Sequence, residues 1–229
     1  NIATTGISIH EDVTTGSYFV VTDQEDNQIG SFYKGALVYA DKLSVLSVQN
    51  PQFAIISPTD PSAMKKYVKE CCAQKIPFLY DPAFQISDFS SEELREGIEG
   101  SAIFIGNDYE IALVEQKLGI THAQLLKMAN IVVTTFGAKG SLIETKDQKI
   151  EVGVAKAKNI SDPTGAGDAY RGGFLAGYLR DLDLKTCGQI GAVASVYTVE
   201  QYGTMTHAYS QQEFCTRYKE NFGDDLKLS

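Results

Sequence analysis

Four compact apolar runs, at 53–56, 77–80, 102–105 and 131–135, recur along the chain with segments of helical composition between them. Runs this short and continuously apolar suit strands covered on both faces, and parallel strands need a helix-length crossover between each pair. The rhythm therefore predicts an α/β fold with a mainly parallel central sheet and helices on both faces. Segments 62–72, 91–99, 108–118 and 122–129 read as the crossover helices, several of them opened by a Ser or Asp suited to N-capping. Strands near 141–143 and 150–154 flank a turn at Asp147 and predict an edge hairpin, after which helices are expected over 169–180 and 185–200. Ahead of all this, residues 16–33 are rich in β-branched and aromatic types and break at the polar stretch 23–27, which reads as a separate small β-hairpin.

With 229 residues the chain suits one α/β domain, 43% apolar and 21% charged. A net charge of −9 repels polyanions, so nucleic acid is not an expected partner and any phosphate must be held by local groups. No apolar run reaches the ~18–20 residues of a membrane span, and no basic segment followed by a hydrophobic stretch opens the sequence, so a cytoplasmic protein is expected. Cys71, Cys72, Cys187 and Cys215 lack the spacing of a zinc site or a disulfide framework. His10, His122 and His207 are scattered without ligand spacing and are assigned no chemistry.

In open α/β sheets ligands bind beyond the carboxyl ends of the strands. The residues to inspect are therefore Ser57-Pro58-Thr59-Asp60, Asp81-Pro82, Asn107 and Thr135-Phe136-Gly137, all polar or turn-forming. The most informative stretch is Asp162-Pro163-Thr164-Gly165-Ala166-Gly167-Asp168, leading into a helix with Gly172, Gly173, Ala176 and Gly177 along it. Gly165, Ala166 and Gly167 can present successive backbone N–H groups at the positive end of that helix, which suits an oxyanion or phosphate. Asp168 falls beside those amides in the first turn, where a carboxylate is favoured and can accept a proton from a hydroxyl attacking that phosphate. The plain alternative is a turn followed by a capping carboxylate. Two other phosphate motifs fail: the glycines lack the third member of a dinucleotide fingerprint, and Gly137-Ala138-Lys139-Gly140-Ser141 lacks the Gly-Lys-Ser/Thr order of a P-loop.

The run from Asp162 to Gly177 resembles the second signature of the ribokinase-like, or phosphofructokinase-B type, carbohydrate kinases. Asn107-Asp108-Tyr109-Glu110 resembles the family's Asn-x-x-Glu pattern, although alone it also reads as a helix cap with a charged first turn. Thr135-Phe136-Gly137-Ala138-Lys139-Gly140 is similar to the family's Thr-x-Gly-x-x-Gly turn. Softer matches at Ser31 to Ala36, Asp81-Pro82 and Glu200 to Thr204 look most like the bacterial adenosine-kinase-like branch, which typically has Pro where Lys34 stands. Arg171 also looks like that branch, with an exposed helical arginine as its plain reading.

The resemblance implies a phosphotransferase moving the γ-phosphoryl group of ATP to a hydroxymethyl group of a nucleoside, adenosine-like, or of a sugar. It implies catalytic roles for Asp168, Gly165, Ala166 and Gly167, and nucleotide contacts from Asn107, Glu110, Thr135, Gly137, Gly140 and Thr164. It further implies Mg²⁺ held through water by Glu110 and Asn107, a monovalent cation such as K⁺ as a further option, and segment 14–36 as a lid that pairs across a homodimer in some members. Family members begin with strands carrying a Gly-Gly pair and an Asn that grip the acceptor, and none of these precedes Asn1, so the later part of the family domain is expected. A nucleotide-binding fragment without catalysis, a ribose or other furanose kinase, and an NAD(P)-dependent reductase are the competing readings.

Overall fold

The computed structural model describes residues 3–4, 6–22 and 28–227. A two-stranded antiparallel ribbon, β1 (Ser17–Thr22) and β2 (Gln28–Tyr33), stands apart from the main sheet. The polar break expected at 23–27 lies outside the described residues.

The main sheet has six strands in chain order: β3 (Ala54–Ile56), β4 (Phe78–Tyr80), β5 (Ile103–Asn107), β6 (Val132–Thr135), β7 (Ser141–Glu144) and β8 (Lys149–Val152). The first four pair in parallel, and β7 and β8 return antiparallel as the expected edge hairpin. Crossovers are supplied by α1 (Pro61–Gln74), α2 (Ser91–Gly100), and α3 (Asp108–Leu118) with α4 (His122–Met128). Helices α5 (Ala166–Tyr178), α6 (Leu184–Val199) and α7 (Gln211–Phe222) follow.

Strand alternation sorts the core. Phe78, Tyr80, Phe104 and Val132 face one way and pack with Met64, Val68, Leu94, Ile98, Val114 and Leu125 from α1 to α4. Their neighbours Leu79, Ile103, Ile105 and Val133 face the other way, against Phe174 and Leu175 of α5 and Cys187 of α6. Full burial of a side chain such as Phe104 or Phe174 contributes ~1.5–3 kcal/mol. Helix α5 seats against α6 because Gly173 lets the backbones meet: a Cβ there would lie 2.8 Å from the Ile190 carbonyl and 2.9 Å from Gly191 Cα. Its neighbour Gly172 is exposed, and a Cβ on it would touch nothing.

Helix α7 has no counterpart in the sequence reading. Its cap was legible: the Ser210 and Glu213 side chains each accept from the other residue's amide, at 3.2 and 2.7 Å, and Phe214 and Tyr218 recur four apart on the buried face. Among the described residues no helix is long and apolar enough to cross a membrane.

Candidate active site

The carboxyl ends of β3 to β6 open into a cleft of about 440 Å³. Ser57 and Pro58 after β3, Asp81 after β4, Asn107 at the end of β5 and Thr135 at the end of β6 line one wall, as the topology required. Thr59 and Asp60 do not reach it; Asp60 instead caps α1, accepting from Ser62 N at 3.0 Å. The opposite wall is the mouth of α5, with Gly165, Gly167, Asp168 and Arg171.

Gly165 caps α5 in the left-handed region (φ 83°), a geometry that glycine adopts without steric cost. The helix starts at Ala166, so two of the residues expected ahead of it already form its first turn. The Ala166 amide donates to the Pro163 carbonyl at 3.2 Å, and the first intrahelical bond runs from Ala169 N to Gly165 O at 2.9 Å. The amides left without a backbone acceptor are therefore those of Gly167 and Asp168, while Ala166 is already committed. The helix dipole adds roughly half a positive charge at the same point.

This mouth is fixed from three sides. Ser195 Oγ on α6 donates to Ala166 O at 2.9 Å, and the Asp162 carboxylate accepts from Thr164 N at 2.9 Å and from Gly203 N at 3.1 Å. Bonds to the hydroxyl and amide of Thr164 hold the Asp162 carboxyl below the usual carboxylate range. A turn fixed before any ligand arrives needs little reorganisation when charge develops near it.

Across the cleft, Asn107 and Glu110 form a reciprocal cap on α3: Asn107 Oδ1 accepts from Glu110 N and Glu110 Oε2 accepts from Asn107 N, both at 2.8 Å. The capping reading is thus realised, and both side chains also line the cleft. Beside them, Asp81 is nearly buried and forms an ion pair with Arg171, whose guanidinium also bonds Asp168. Burial pushes the Asp81 carboxyl up to about 6, with the Arg171 guanidinium offsetting part of that shift and Glu110 adding to it. Asp81 Oδ1 is buried with no hydrogen-bond partner among the described residues. The plain reading of Arg171 as an exposed helical arginine is overturned, since a carboxylate ninety positions earlier draws it into the cleft.

Of the other predicted site residues, Thr164, Ala166, Gly137 and Gly140 lie outside the lining of the cleft. Gly140 (φ 97°) is held by packing, since a Cβ there would stand 2.2 Å from the Val152 carbonyl of β8.

The sequence matches the pfkB family carbohydrate kinase pattern over residues 1–211. The chain belongs to that family. Among curated pfkB relatives, the nucleoside kinase of Methanocaldococcus jannaschii is 34% identical over 86% of this chain and 65% of its own length. The nucleoside kinase of Methanothermobacter thermautotrophicus is 32% identical over 93% of this chain and 69% of its own length. The chain therefore spans about two thirds of the length of these two relatives, and just under that share of the first. In three dimensions, a Burkholderia thailandensis nucleoside kinase solved with inosine superposes with a TM-score of 0.90, at 28% identity, covering 93% of this chain and 70% of that one. The central sheet, its helices and the separate β ribbon are those of a ribokinase-like pfkB fold.

Proposed function

We propose that the chain is the nucleotide-binding and catalytic portion of an ATP-dependent nucleoside kinase. The observation that carries this reading is the joint placement of the Gly167 and Asp168 amides, the Asp168 carboxylate and the Asn107 and Glu110 pair in one cleft. Nucleoside kinase relatives and the inosine complex of the Burkholderia protein support a nucleoside over a free sugar as acceptor.

The residues fit a magnesium–polyphosphate group. Free amides at a helix mouth suit phosphate oxygens, and Asn107 and Glu110 offer oxygen atoms to a hydrated Mg²⁺ opposite them. Three carboxylates and one arginine line the cleft, an excess of negative charge that polyphosphate alone would oppose and a divalent cation would offset. When bound, Mg²⁺ would neutralise charge on the transferring phosphoryl group. Thr135, with the turn at Gly137 and Gly140 behind it and Thr164 at the loop edge, belongs to the nucleotide side of this reading.

Asp168 accepts the proton of the acceptor hydroxyl as the new O–P bond forms and the bond from the γ-phosphorus to the β,γ-bridging oxygen breaks, releasing ADP. The amides of Gly167 and Asp168 meet the oxygens on which charge gathers. The β1–β2 ribbon, with Tyr18, Phe19 and Ile29 exposed, is the lid that excludes water.

The test is transfer of label from γ-labelled ATP to inosine, adenosine, cytidine and ribose by the full-length gene product. A phosphorylated nucleoside supports the reading. ATP-dependent thermal stabilisation with no phosphorylated product from any acceptor would overturn it in favour of nucleotide binding without catalysis.

A further inference from the structure

We propose that Arg171 is a positioning residue, anchored on Asp81 at the carboxyl end of β4, that fixes the carboxylate of Asp168 at the mouth of α5. The inference rests on the reading of Asp168 as the base.

Asp168 and Arg171 are one helical turn apart, and such neighbours ordinarily meet only loosely in solvent. Here the exposures are unequal. The Asp168 side chain keeps 71% of its surface in water, whereas Arg171 keeps 14% and Asp81 9%. The arginine is therefore drawn off the helix surface and down to Asp81, a carboxylate on a different element and ninety residues away. Arg171 is the cation bonded to that nearly buried charge, and releasing it would leave the charge uncompensated.

Geometry then determines what the other half of the guanidinium does. Its fork is planar, so binding Asp81 through Nη1 sets the direction of Nη2, which bonds Asp168 Oδ1. A carboxylate that would otherwise sample several rotamers is held by one oxygen, leaving Oδ2 for the acceptor hydroxyl. The α5 backbone alone does not give this, because Asp168 is exposed and the cap of the helix is a glycine without a side chain. Two rigid elements, β4 and α5, are thereby joined across the floor of the cleft, as a base that must meet its proton within hydrogen-bond reach requires.

Three variants test this in the full-length protein: Arg171→Gln, Arg171→Lys and the double variant Asp81→Asn/Arg171→Gln. Arg171→Gln is expected to lower kcat by ~10²-fold through misplacement of the base, with the KM for ATP shifting by no more than roughly threefold. Arg171→Lys, a point charge without the fork, is expected to fall between the parent and Arg171→Gln. Because Arg171→Gln strands a buried carboxylate and can unfold the chain, the double variant removes both charges. Its crystal structure is expected to show the Asp168 carboxylate in a changed or multiple rotamer, and its kcat to be no lower than that of Arg171→Gln. An Asp168 rotamer unchanged in the double variant, or a kcat within about twofold of the parent in Arg171→Gln, would overturn the proposal. Absence of turnover from the parent itself counts against the kinase reading, and the crystallographic comparison still decides the role of Arg171.

Discussion

The two ends of the β5–β6 pair treat charge in opposite ways. At the far end from the cleft, His122 at the start of α4 bonds Glu115 of α3 at 2.6 Å and Glu144 of β7 at 2.8 Å, and Lys149 stands 3.7 Å from Glu144. Glu144 pairs in register with Val132 at the start of β6, and every carboxylate in that cluster has a histidine nitrogen or a lysine ammonium beside it. At the cleft end Arg171 likewise lies between two carboxylates, yet Asp81 Oδ1 has no partner, two amides face outward and Asp168 stands mostly in water. Polar groups that are paired at one end of the strand pair and left open around a concavity at the other mark that concavity as the place where a ligand completes them.

That contrast can be broken by substitution. Glu110→Gln keeps an oxygen to cap Asn107 N but removes the charge, so the Mg²⁺ concentration for half-maximal rate is expected to rise roughly 10–100-fold with little change in melting temperature. A titration of rate against Mg²⁺ reads this, and an unchanged curve removes Glu110 from the metal's surroundings. Arg217→Ala probes a second matched cluster, between α6 and α7. Its guanidinium bonds Glu200 with both side chains buried, donates to Lys156 O at 3.1 Å and stacks on Tyr197, pinning α7 to the end of α6. Breaking such a pair costs about 3–5 kcal/mol, or roughly 6–20 °C in Tm, with turnover per folded molecule retained. Calorimetry alongside an activity assay checks it.

The smallest expected effect is at His122. Bonds to Glu115 and Glu144 raise its pKa above the usual histidine value against the opposing effect of burial, which is the largest single influence. The folded state therefore holds the proton more tightly than the unfolded chain. The stabilisation is fully present below the unfolded pKa near 6.5 and is lost as pH rises through the raised folded value. Melting temperature measured from pH 5.5 to 8.5 is expected to decline more steeply in the parent than in His122→Gln. Parallel curves would show the cluster to be inert.

Much of this architecture was readable because its signals are local. Apolar runs gave the strands and Ser or Asp caps gave the helices, and the glycines before Asp168 pointed to the mouth of α5. What escaped was non-local. Arg171 read as exposed because nothing near it in sequence reveals Asp81, and His122 read as uninvolved because Glu115 and Glu144 meet it only through the fold. Helix α7 is a different case, since its Ser210 and Glu213 cap was present and went unread. Which amides stay free at the α5 mouth could not be read either, because the bond from Ala166 to Pro163 depends on the curl of the loop.

The most direct measurement is turnover of Asp168→Asn with γ-labelled ATP and a nucleoside, set beside ATP-induced thermal stabilisation of the same variant. A fall of ~10²–10⁴-fold or more with the stabilisation intact is the expected result. Turnover equal to the parent's would contradict the assignment of the base and of the α5 mouth as the site of transfer.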